Sequence, residues 1–375
     1  MKKLRIAVVG CGLGGAAVSA LLLRLGFNVS LYEQAERFHQ IGAGIHLTPN
    51  MLMALDGLSI ESTLVRHGYQ PGAYVSRNAA TAENLFRLPL HDAESSYGGK
   101  YLTIPRYEFH QVLVSALRGH KIHYGMKLDS IDQSPDEVIL HFANGASVPC
   151  DLLIGADGLS SVVRRTIRGD AAPAFSGHVA YRSVVPSALL QRPPEDDYSK
   201  WWAEDGKFVV AYYMTPQRDH FYFVAGFRTA SWSTSKPSLP GSREELLSQF
   251  SGFHPHIRDV LSASQDFSKW PLYERVPGPA WHSGRIVLLG DACHPMKPHM
   301  AQGAAMAVED GVILARCLLE MRNQDLESAF ARYERNRVER VSLVQSTSND
   351  GGWFKHETDP NWVFSYDAWK TDLKR

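Results

Sequence analysis

Three short segments of the chain combine residue types that bind phosphate and sugar groups. The first is Gly10-Cys11-Gly12-Leu13-Gly14-Gly15, which fits the pattern G-x-G-x-x-G. In this pattern Gly10 permits a tight turn, Gly12 lets the backbone approach a pyrophosphate, and Gly15 allows a helix to pack closely on a strand. The free N–H groups and positive partial charge of the helix N-terminus would face the phosphates. The segment therefore predicts dinucleotide binding, with Gly14 also at the site.

An acidic residue lies where such a domain holds the adenosine ribose. Glu33 comes roughly 20 residues after the glycines, at the end of the second predicted strand, where a carboxylate can accept hydrogen bonds from ribose hydroxyls. The same charge would repel a 2′-phosphate, so this site favours FAD or NAD over NADP. We assign Gln34 and Arg37, which follow Glu33, to the same cofactor site.

The other two segments each follow an apolar run that predicts a buried strand. One is Gly155-Ala156-Asp157-Gly158, followed by Ser161 and Arg164. The other runs from Gly290-Asp291-Ala292-Cys293-His294-Pro295 through Pro298 to Gln302-Gly303. Both segments place an aspartate at or near a strand end.

The apolar pattern also predicts the elements that position these segments. A strand over Leu4–Val9, a helix over Leu13–Leu25 and a strand over Val29–Tyr32 form a β-α-β unit. From about 177 to 272, alternating and aromatic runs indicate an antiparallel sheet. Further predicted elements are a helix over Arg106–Leu117, a hairpin around Asn144-Gly145, buried strands over Leu152–Ile154 and Arg285–Leu289, and helices over Gly303–Met321 and Leu326–Thr347.

Composition excludes several classes of protein. The 375 residues are 44% hydrophobic and 21% charged, as is ordinary for a soluble globular protein. Lys plus Arg and Asp plus Glu both number 39, so the basic excess of a nucleic-acid-binding protein is missing. The four cysteines form no CxxC pair, which argues against a metal site or a dithiol redox pair. We expect a cytoplasmic protein with reduced thiols, no metal and no membrane partner, as a monomer or homodimer.

The three segments together are more specific than any one of them. GxGxxG, GADGxxSxVR and GDAxHxxxPxxxQG, in this order, resemble the class A flavoprotein aromatic hydroxylases, which include the p-hydroxybenzoate and salicylate hydroxylases. The resemblance implies bound FAD, NAD(P)H as a transient cosubstrate, O2, and oxygen transfer through a C4a-hydroperoxyflavin. It also implies an α/β fold with an α+β insert. A Rossmann-like FAD domain would comprise 1–70, 100–176 and 273–375, and a mixed or antiparallel substrate-binding sheet would comprise 71–99 and 177–272.

The resemblance also implies roles for residues beyond the glycine loop. Asp291 would hold a ribityl hydroxyl through a charge-assisted hydrogen bond. Asp157 would serve both flavin and nicotinamide handling. The Gln302-Gly303 turn would open a helix whose N-terminus stabilises the anionic reduced flavin. The remaining implied contacts are Arg106, Pro298 and Ala304; for Arg106, a surface salt bridge stays open as the alternative.

A finer resemblance concerns the substrate. Gly42-Ala43-Gly44-Ile45-His46, Lys200-Trp201-Trp202, Lys269-Trp270-Pro271-Leu272 and the run 296–303 are similar to the 6-hydroxynicotinate 3-monooxygenase group of the family. That group replaces the carboxylate of a hydroxylated ring acid with a hydroxyl, here giving 2,5-dihydroxypyridine, with NADH as the expected reductant. Salicylate or another hydroxylated aromatic carboxylate is the alternative substrate. A non-catalytic flavin-binding protein is a more distant alternative.

The expected chemistry requires a base near the ring hydroxyl, because a deprotonated hydroxyl makes the para carbon electron-rich. Histidine titrates in a suitable range, and His46 matches the family's substrate-contacting histidine. Tyr212 matches a tyrosine over the substrate. Because Tyr212 and Tyr213 point to opposite faces of their strand, only one of them faces the pocket; we choose Tyr212, and Tyr213 is the alternative. Met214 shares the face of Tyr212 and is a weaker substrate-contact candidate. His299 would bind the carboxylate or orient the ring.

Overall fold

The computed structural model of the chain describes residues 4–38, 43–169, 172–232, 234, 236, 238–275, 278, 280–321 and 325–374. The strands are β1 Arg5–Val9, β2 Asn28–Tyr32, β3 Gly44–Leu47, β4 Ala73–Asn78, β5 Asn84–Pro89, β6 Leu102–Pro105, β7 Ile122–His123, β8 Leu128–Gln133, β9 Val138–Phe142, β10 Ser147–Cys150, β11 Leu152–Gly155, β12 Ala174–Pro186, β13 Tyr198–Trp202, β14 Phe208–Tyr213, β15 His220–Arg228, β16 Leu239–Pro240, β17 Ser268–Glu274, β18 His282–Ser283 and β19 Ile286–Leu288. The helices are α1 Leu13–Arg24, α2 Pro49–Leu55, α3 Glu61–His67, α4 Ala93–Tyr97, α5 Arg106–Ser115, α6 Val162–Arg168, α7 Arg243–Gln249, α8 Pro255–Ser262, α9 Gly303–Leu319, α10 Leu326–Asp350 and α11 Asn361–Phe364.

The first large sheet has six strands in the order β18-β19-β11-β1-β2-β7, all parallel except β18. Its central strands are short runs of Val, Ile, Leu and Ala with buried side chains, as a parallel sheet covered on both faces requires. Helix α1 packs against α9 beside this sheet. The three chemical segments leave the carboxyl ends of the neighbouring strands β1, β11 and β19. Ligands of open parallel sheets bind at this edge.

The second large sheet has eight strands in the order β16-β17-β12-β15-β14-β13-β4-β5, antiparallel except where β13 meets β4. Successive side chains point to opposite faces. Val209, Ala211 and Tyr213 of β14 join a hydrophobic core with α7 and α8 on one face. Phe208, Val210 and Tyr212 point to the other face, toward a cavity below. One face therefore stabilises the sheet and the other is free for ligand contacts.

Most predicted elements are confirmed, including the β-α-β unit and the hairpin formed by β9 and β10 around Asn144-Gly145. The α/β fold class with an added antiparallel sheet is confirmed. Helix α10 continues to Asp350, beyond the predicted end at Thr347, and stops at Gly351, whose φ of 73° is the left-handed conformation that ends many helices. The proposed domain boundaries stay a prediction.

A buried group of charges joins α9 to α10. Arg337 has no exposed surface, and its guanidinium donates to Asp310 Oδ1 at 2.7 Å and to Glu309 Oε2 at 2.8 Å. Arg340 donates to both oxygens of Glu309 at 2.8 Å. Asp310 Oδ2 also accepts from the backbone N–H of Gly290 at 3.0 Å and lies 2.6 Å from His294 Nε2. Burial raises the pKa of Asp310, but the charges of His294 and Arg337 outweigh this effect and lower the pKa to about 2.

Arg337→Met removes the fully buried cation of this group, so that among the described residues Asp310 keeps only His294 and Glu309 only Arg340 as charged partners. We expect the free energy of unfolding to fall by about 3–5 kcal/mol, because an uncompensated buried charge is costly. Urea denaturation of the purified variant measures this loss. Arg335→Met, at an exposed position of the same helix, is the matched control. Equal stability of the two variants would show that the buried ion pairs contribute little.

Candidate active site

A cavity of about 560 Å³ lies between the carboxyl edge of the six-stranded sheet and the open face of the eight-stranded sheet. This volume falls within the range of small-molecule sites. Its walls include residues predicted to bind the cofactor and residues predicted to contact the substrate. These are Gly12, Gly14, His46, Arg106, Tyr212, Asp291, Pro298, His299, Gly303 and Ala304.

The glycine loop forms one end of the cavity, and each glycine has a distinct steric reason. Gly10 has a φ of 97°, and a Cβ there would lie 2.4 Å from the carbonyl oxygen of Ala156. A Cβ on Gly15 would lie 1.9 Å from the carbonyl oxygen of Gly10. Around Gly12, by contrast, no atom lies within 4 Å of the Cβ position. The space above Gly12, at the N-terminus of α1, is therefore open to an approaching phosphate. Gly14 faces Ala307 of α9, 2.9 Å from its Cβ position.

Glu33 lies beside this loop. Its carboxylate accepts from the backbone N–H of Cys11 at 2.8 Å and of Ala35 at 2.9 Å. Each oxygen keeps lone-pair capacity for a further donor, because a carboxylate can accept about four hydrogen bonds. Gln34 and Arg37 are exposed and do not belong to the cavity wall. Their role at the cofactor stays a prediction.

The carboxylate of Asp157 points to the start of α6 and not into the cavity, and its predicted role in flavin and nicotinamide handling stays a prediction. Its Oδ2 accepts from the backbone N–H groups of Val162 at 2.7 Å and Val163 at 3.1 Å, and its Oδ1 accepts from the Ser161 hydroxyl. The carboxylate thus caps the first turn of α6, where free N–H groups need acceptors. Burial raises its pKa, against the lowering effect of these hydrogen bonds. The cavity wall at this point is formed by Ala156 and Gly158.

Arg106 and Asp291 both line the cavity and lie close enough for their charges to interact. Both side chains are accessible from the cavity. Protein atoms nevertheless surround their charged ends closely enough to shift both pKa values. Burial lowers the pKa of Arg106. The negative charge of Asp291 raises that pKa in part, and the positive charge of Arg182 lowers it again. Burial raises the pKa of Asp291, and His294 and Arg106 oppose that shift. Arg106 therefore lines the cavity, and its contact with the cofactor stays a prediction.

The N-terminus of the 17-residue helix α9 forms another part of the wall, with Gly303, Ala304 and the preceding Pro298. Gln302 itself is buried, and its side chain turns away from the cavity. Its Oε1 accepts from Asn50 Nδ2 at 2.9 Å, and its Nε2 donates to Thr48 Oγ1 at 3.2 Å. The side chain fixes the turn, and the backbone faces the cavity.

His46 lies on β3 among aromatic rings. Its Nδ1 is hydrogen-bonded to the Tyr101 hydroxyl at 3.2 Å, and its ring centroid lies 4.2 Å from that of Tyr212 and 4.7 Å from that of Tyr198. Burial, followed by the charge of Lys200, lowers the pKa of His46 to about 3. The imidazole is therefore neutral at physiological pH, and its unprotonated nitrogen can accept a hydrogen bond or a proton.

Tyr212 lines the cavity, whereas Tyr213 lies in the core beneath α7 and α8, as the strand alternation predicts. Met214 is buried but is not part of the cavity wall. Its sulfur and the Tyr212 hydroxyl both lie under 3 Å from where a Cβ on Gly44 would be, so Gly44 makes room for them. The predicted contact of Met214 with the substrate stays a prediction.

His299 lines the cavity with its ring edge-to-face against Phe208, 5.2 Å between centroids. Its Nδ1 is buried without a hydrogen-bond partner among the described residues. Burial, with further contributions from Lys200 and Lys297, lowers its pKa to about 3. It can therefore offer a neutral donor or acceptor to a ligand.

Sequence reasoning missed several residues of the wall: Arg182, Tyr198, Lys200, Phe208, Tyr222, Trp270 and Lys297. Most of these belong to the sheet face described above. The available signal was the alternation of β13, in which Tyr198 and Lys200 share a face while Ser199 and Trp201 share the other. Among the lining residues that the structure describes, four are Arg or Lys and one, Asp291, is acidic.

Comparisons with known proteins agree with this arrangement. The family model described as "FAD binding domain" matches residues 3–348 of the chain. The chain belongs to this family. A 6-hydroxynicotinate 3-monooxygenase of Pseudomonas fluorescens is 44% identical over 372 residues, covering 98% of this chain and 96% of the relative. One from Bordetella bronchiseptica is 44% identical, covering 99% and 97%.

Solved structures extend the comparison to the fold. A salicylate hydroxylase substrate complex superposes with a TM-score of 0.82 and 25% identity, covering 98% of this chain and 96% of the other. The FAD-binding family, these relatives and the fold together make the chain an FAD-dependent aromatic monooxygenase. The open space above Gly12 and two helix N-termini at one elongated cavity suit a long anionic cofactor such as FAD.

Two further observations concern partners that the sequence argued against. No helix within the described ranges is both long and apolar enough to span a bilayer. The described residues also contain no group of three or more His, Cys, Asp or Glu side chains placed to hold a metal ion. All four cysteines are free and buried.

Gly12→Ala tests whether the open space at the loop holds the cofactor phosphates. The new methyl group meets no protein atom and the φ of −69° suits alanine, so the fold should be unaffected. We expect FAD affinity to fall by at least ~10-fold, about 1.4 kcal/mol, because the backbone approach is blocked. Fluorescence titration of apoprotein with FAD measures this loss. Gly252→Ala, also in open space, is the control, and unchanged FAD affinity in Gly12→Ala would place the phosphates elsewhere.

Proposed function

We propose that the enzyme converts 6-hydroxynicotinate, NADH and O2 into 2,5-dihydroxypyridine, CO2, NAD+ and water, with consumption of two protons. The observation that carries the proposal is the 44% identity to two 6-hydroxynicotinate 3-monooxygenases over nearly the full length of each chain. The wall of the cavity is consistent with it, because a neutral histidine beside a tyrosine faces a space rich in cationic side chains. Such a space suits an anionic ring that carries a hydroxyl group.

The chain's residues would hold FAD along the length of the cavity. Gly12 and the N-terminus of α1 would take the pyrophosphate, and Glu33 the adenosine ribose. Asp291 would accept from a ribityl hydroxyl, and the N-terminus of α9 at Gly303 would face the pyrimidine edge of the flavin. Bound FAD supplies the electron transfer from NADH and the activation of O2, which protein side chains cannot perform.

At the substrate end, His46 would accept the proton of the ring hydroxyl. In 6-hydroxynicotinate this hydroxyl is para to the carbon that carries the carboxylate, so its deprotonation enriches that carbon in electrons. The low pKa of His46 reflects burial and the nearby charge of Lys200. An anionic substrate beside the ring would counter the charge of Lys200 and so strengthen the base when it is needed. Tyr101, bonded to His46 Nδ1, fixes the ring orientation and offers a path for the proton.

A second substrate deserves comparison because the salicylate hydroxylase complex shares the fold across nearly the whole chain. In salicylate the hydroxyl is ortho to the carboxylate. The chain is 44% identical to the 6-hydroxynicotinate 3-monooxygenases and 25% identical to the salicylate hydroxylase, so we favour the pyridine acid over salicylate as the substrate.

A product-resolved substrate panel tests the proposed reaction. Holoenzyme is incubated with NADH and O2 and, in turn, with 6-hydroxynicotinate, salicylate and 4-hydroxybenzoate, and both CO2 and ring products are quantified. We expect NADH oxidation, CO2 release and 2,5-dihydroxypyridine in equal amounts with 6-hydroxynicotinate. NADH oxidation without CO2 or product from 6-hydroxynicotinate, or efficient catechol formation from salicylate, would refute the proposed substrate.

His46→Gln tests the proposed base. We expect kcat to fall by roughly 10²- to 10⁴-fold, the usual contribution of general base catalysis. Activity should recover partly as pH rises, because the substrate hydroxyl then ionises without help. His91→Gln, at an exposed position, is the control, and FAD binding should be normal in both variants. A kcat close to that of the unmodified enzyme, or a loss that pH does not relieve, would assign His46 a structural role.

A further inference from the structure

Lys200 is a buried cation in the wall of the active-site cavity. It lies at the centre of β13, only 3% exposed, on the sheet face that Tyr198 also occupies. On one side it pairs in register with Val210, which pairs with Val224, and on the other side with Ser76, whose hydroxyl donates to the carbonyl oxygen of Lys355, so neither neighbour carries a negative charge. A lysine at this position is unusual, because strand residues buried on both faces are normally apolar.

The ammonium of Lys200 has no acidic partner within the described parts of the chain. Its neighbours are π faces, with Nζ 3.8 Å from the ring centroid of Trp202 and 5.4 Å from that of Phe208. Such contacts stabilise a cation only modestly. A buried charge otherwise requires a counter-ion, and Lys200 faces a cavity that can supply one.

The other titratable groups around Lys200 do not supply negative charge. His46 and His299 lie close enough to Lys200 for its charge to act on them. Burial, followed by that charge, lowers the pKa of each histidine to about 3. Lys297, which also lowers the pKa of His299, is paired with Glu274 at 2.8 Å. Burial lowers the pKa of Lys200 itself to about 7. The site thus holds an ammonium that an anion would stabilise in its charged form.

We propose that Lys200 binds the carboxylate of the aromatic acid and thereby selects acids as substrates. This inference rests on the proposed function and assigns one of its contacts. Lys200 is two residues from Tyr198, whose register partner is Tyr212, so Lys200 and Tyr212 are diagonal neighbours on one face. The backbones of such neighbours are about 7–8 Å apart. One small aromatic ring can therefore contact both side chains, with its carboxylate at Lys200 and its hydroxyl at His46 and Tyr212.

The ion pair also agrees with the order of the reaction. The carboxylate is held until its carbon has gained oxygen, and CO2 then leaves as a neutral molecule that no longer binds the ammonium. Lys200 neither gives nor takes a proton in this account. It binds and orients the substrate.

The test compares two ligands and three proteins: the unmodified enzyme, Lys200→Met and a control variant. Holoenzyme without NADH is titrated with 6-hydroxynicotinate and with 2-hydroxypyridine, the same ring without its carboxylate, and flavin absorbance reports binding. In Lys200→Met, we expect the acid to bind ~10- to 100-fold more weakly, as loss of a charged hydrogen bond predicts, and 2-hydroxypyridine to bind as before. Lys207→Met, which removes a lysine paired with Asp205, is the control for net charge. Equal losses for both ligands, or no loss for the acid, would overturn the inference.

A pH series on the unmodified enzyme provides independent evidence if Lys200→Met does not fold. Above about pH 7, acid affinity should fall as Lys200 loses its proton, whereas 2-hydroxypyridine affinity should not. His46 and His299 are neutral throughout this range. A flat profile for the acid would contradict the proposal.

Failure of the proposed substrate has a different signature. If 4-hydroxybenzoate binds in a Lys200-dependent manner and 6-hydroxynicotinate does not bind, the substrate is wrong and the role of Lys200 stands. If no aromatic acid binds at pH 6, the inference about Lys200 is overturned.

Discussion

The paired charges of Glu309, Asp310 and Arg337 are the interaction on which the site depends most. In a low-dielectric interior each must be paired, which leaves few arrangements of α9 and α10. Asp310 reaches the backbone of Gly290 at the turn after β19, and Glu309 reaches Asn50, which in turn holds Gln302. The same network therefore fixes the turn that carries Asp291 and the N-terminus of α9. These two features face the cavity from different elements, and buried electrostatics sets their separation.

The cavity extends this electrostatic logic toward its ligands. Its wall contains more cationic than acidic side chains among the described residues, and burial keeps His46 and His299 neutral. An anionic ligand would therefore be stabilised in this space. A cofactor with a pyrophosphate and a substrate with a carboxylate would both supply negative charge where the protein lacks it. Each would then change the protonation behaviour of the groups beside it.

The sequence was sufficient for the elements and for the glycine loop at the edge of the parallel sheet, because both follow from local patterns. Gly15 packs against Gly10 within one β-α-β unit, Gly10 permits the tight turn, and strand alternation placed Tyr212 and Tyr213 on opposite faces. Side-chain direction was harder to predict when a distant partner decides it. Asp157 turns to cap α6 and Gln302 turns to Thr48 and Asn50, contacts that no motif spacing reveals.

Lys200 shows the same limit from the opposite direction. Its strand could be predicted, but the absence of a counter-ion among the described residues is a property of the packed structure. A lysine in an aromatic run is as compatible with an exposed sheet edge as with a buried cavity. Neighbouring strands on both sides of β13 decide between these, and they come from distant parts of the chain.

The two-faced construction of the eight-stranded sheet has an evolutionary consequence. Side chains that stabilise the sheet on α7 and α8 alternate with side chains that contact the ligand, so substitutions at every second position of β13, β14 and β15 leave the supporting core intact. New ring specificities can therefore arise through a few changes on one face, without the loss of foldability that usually limits divergence. The sheet separates the residues under selection for substrate range from those under selection for persistence of the fold.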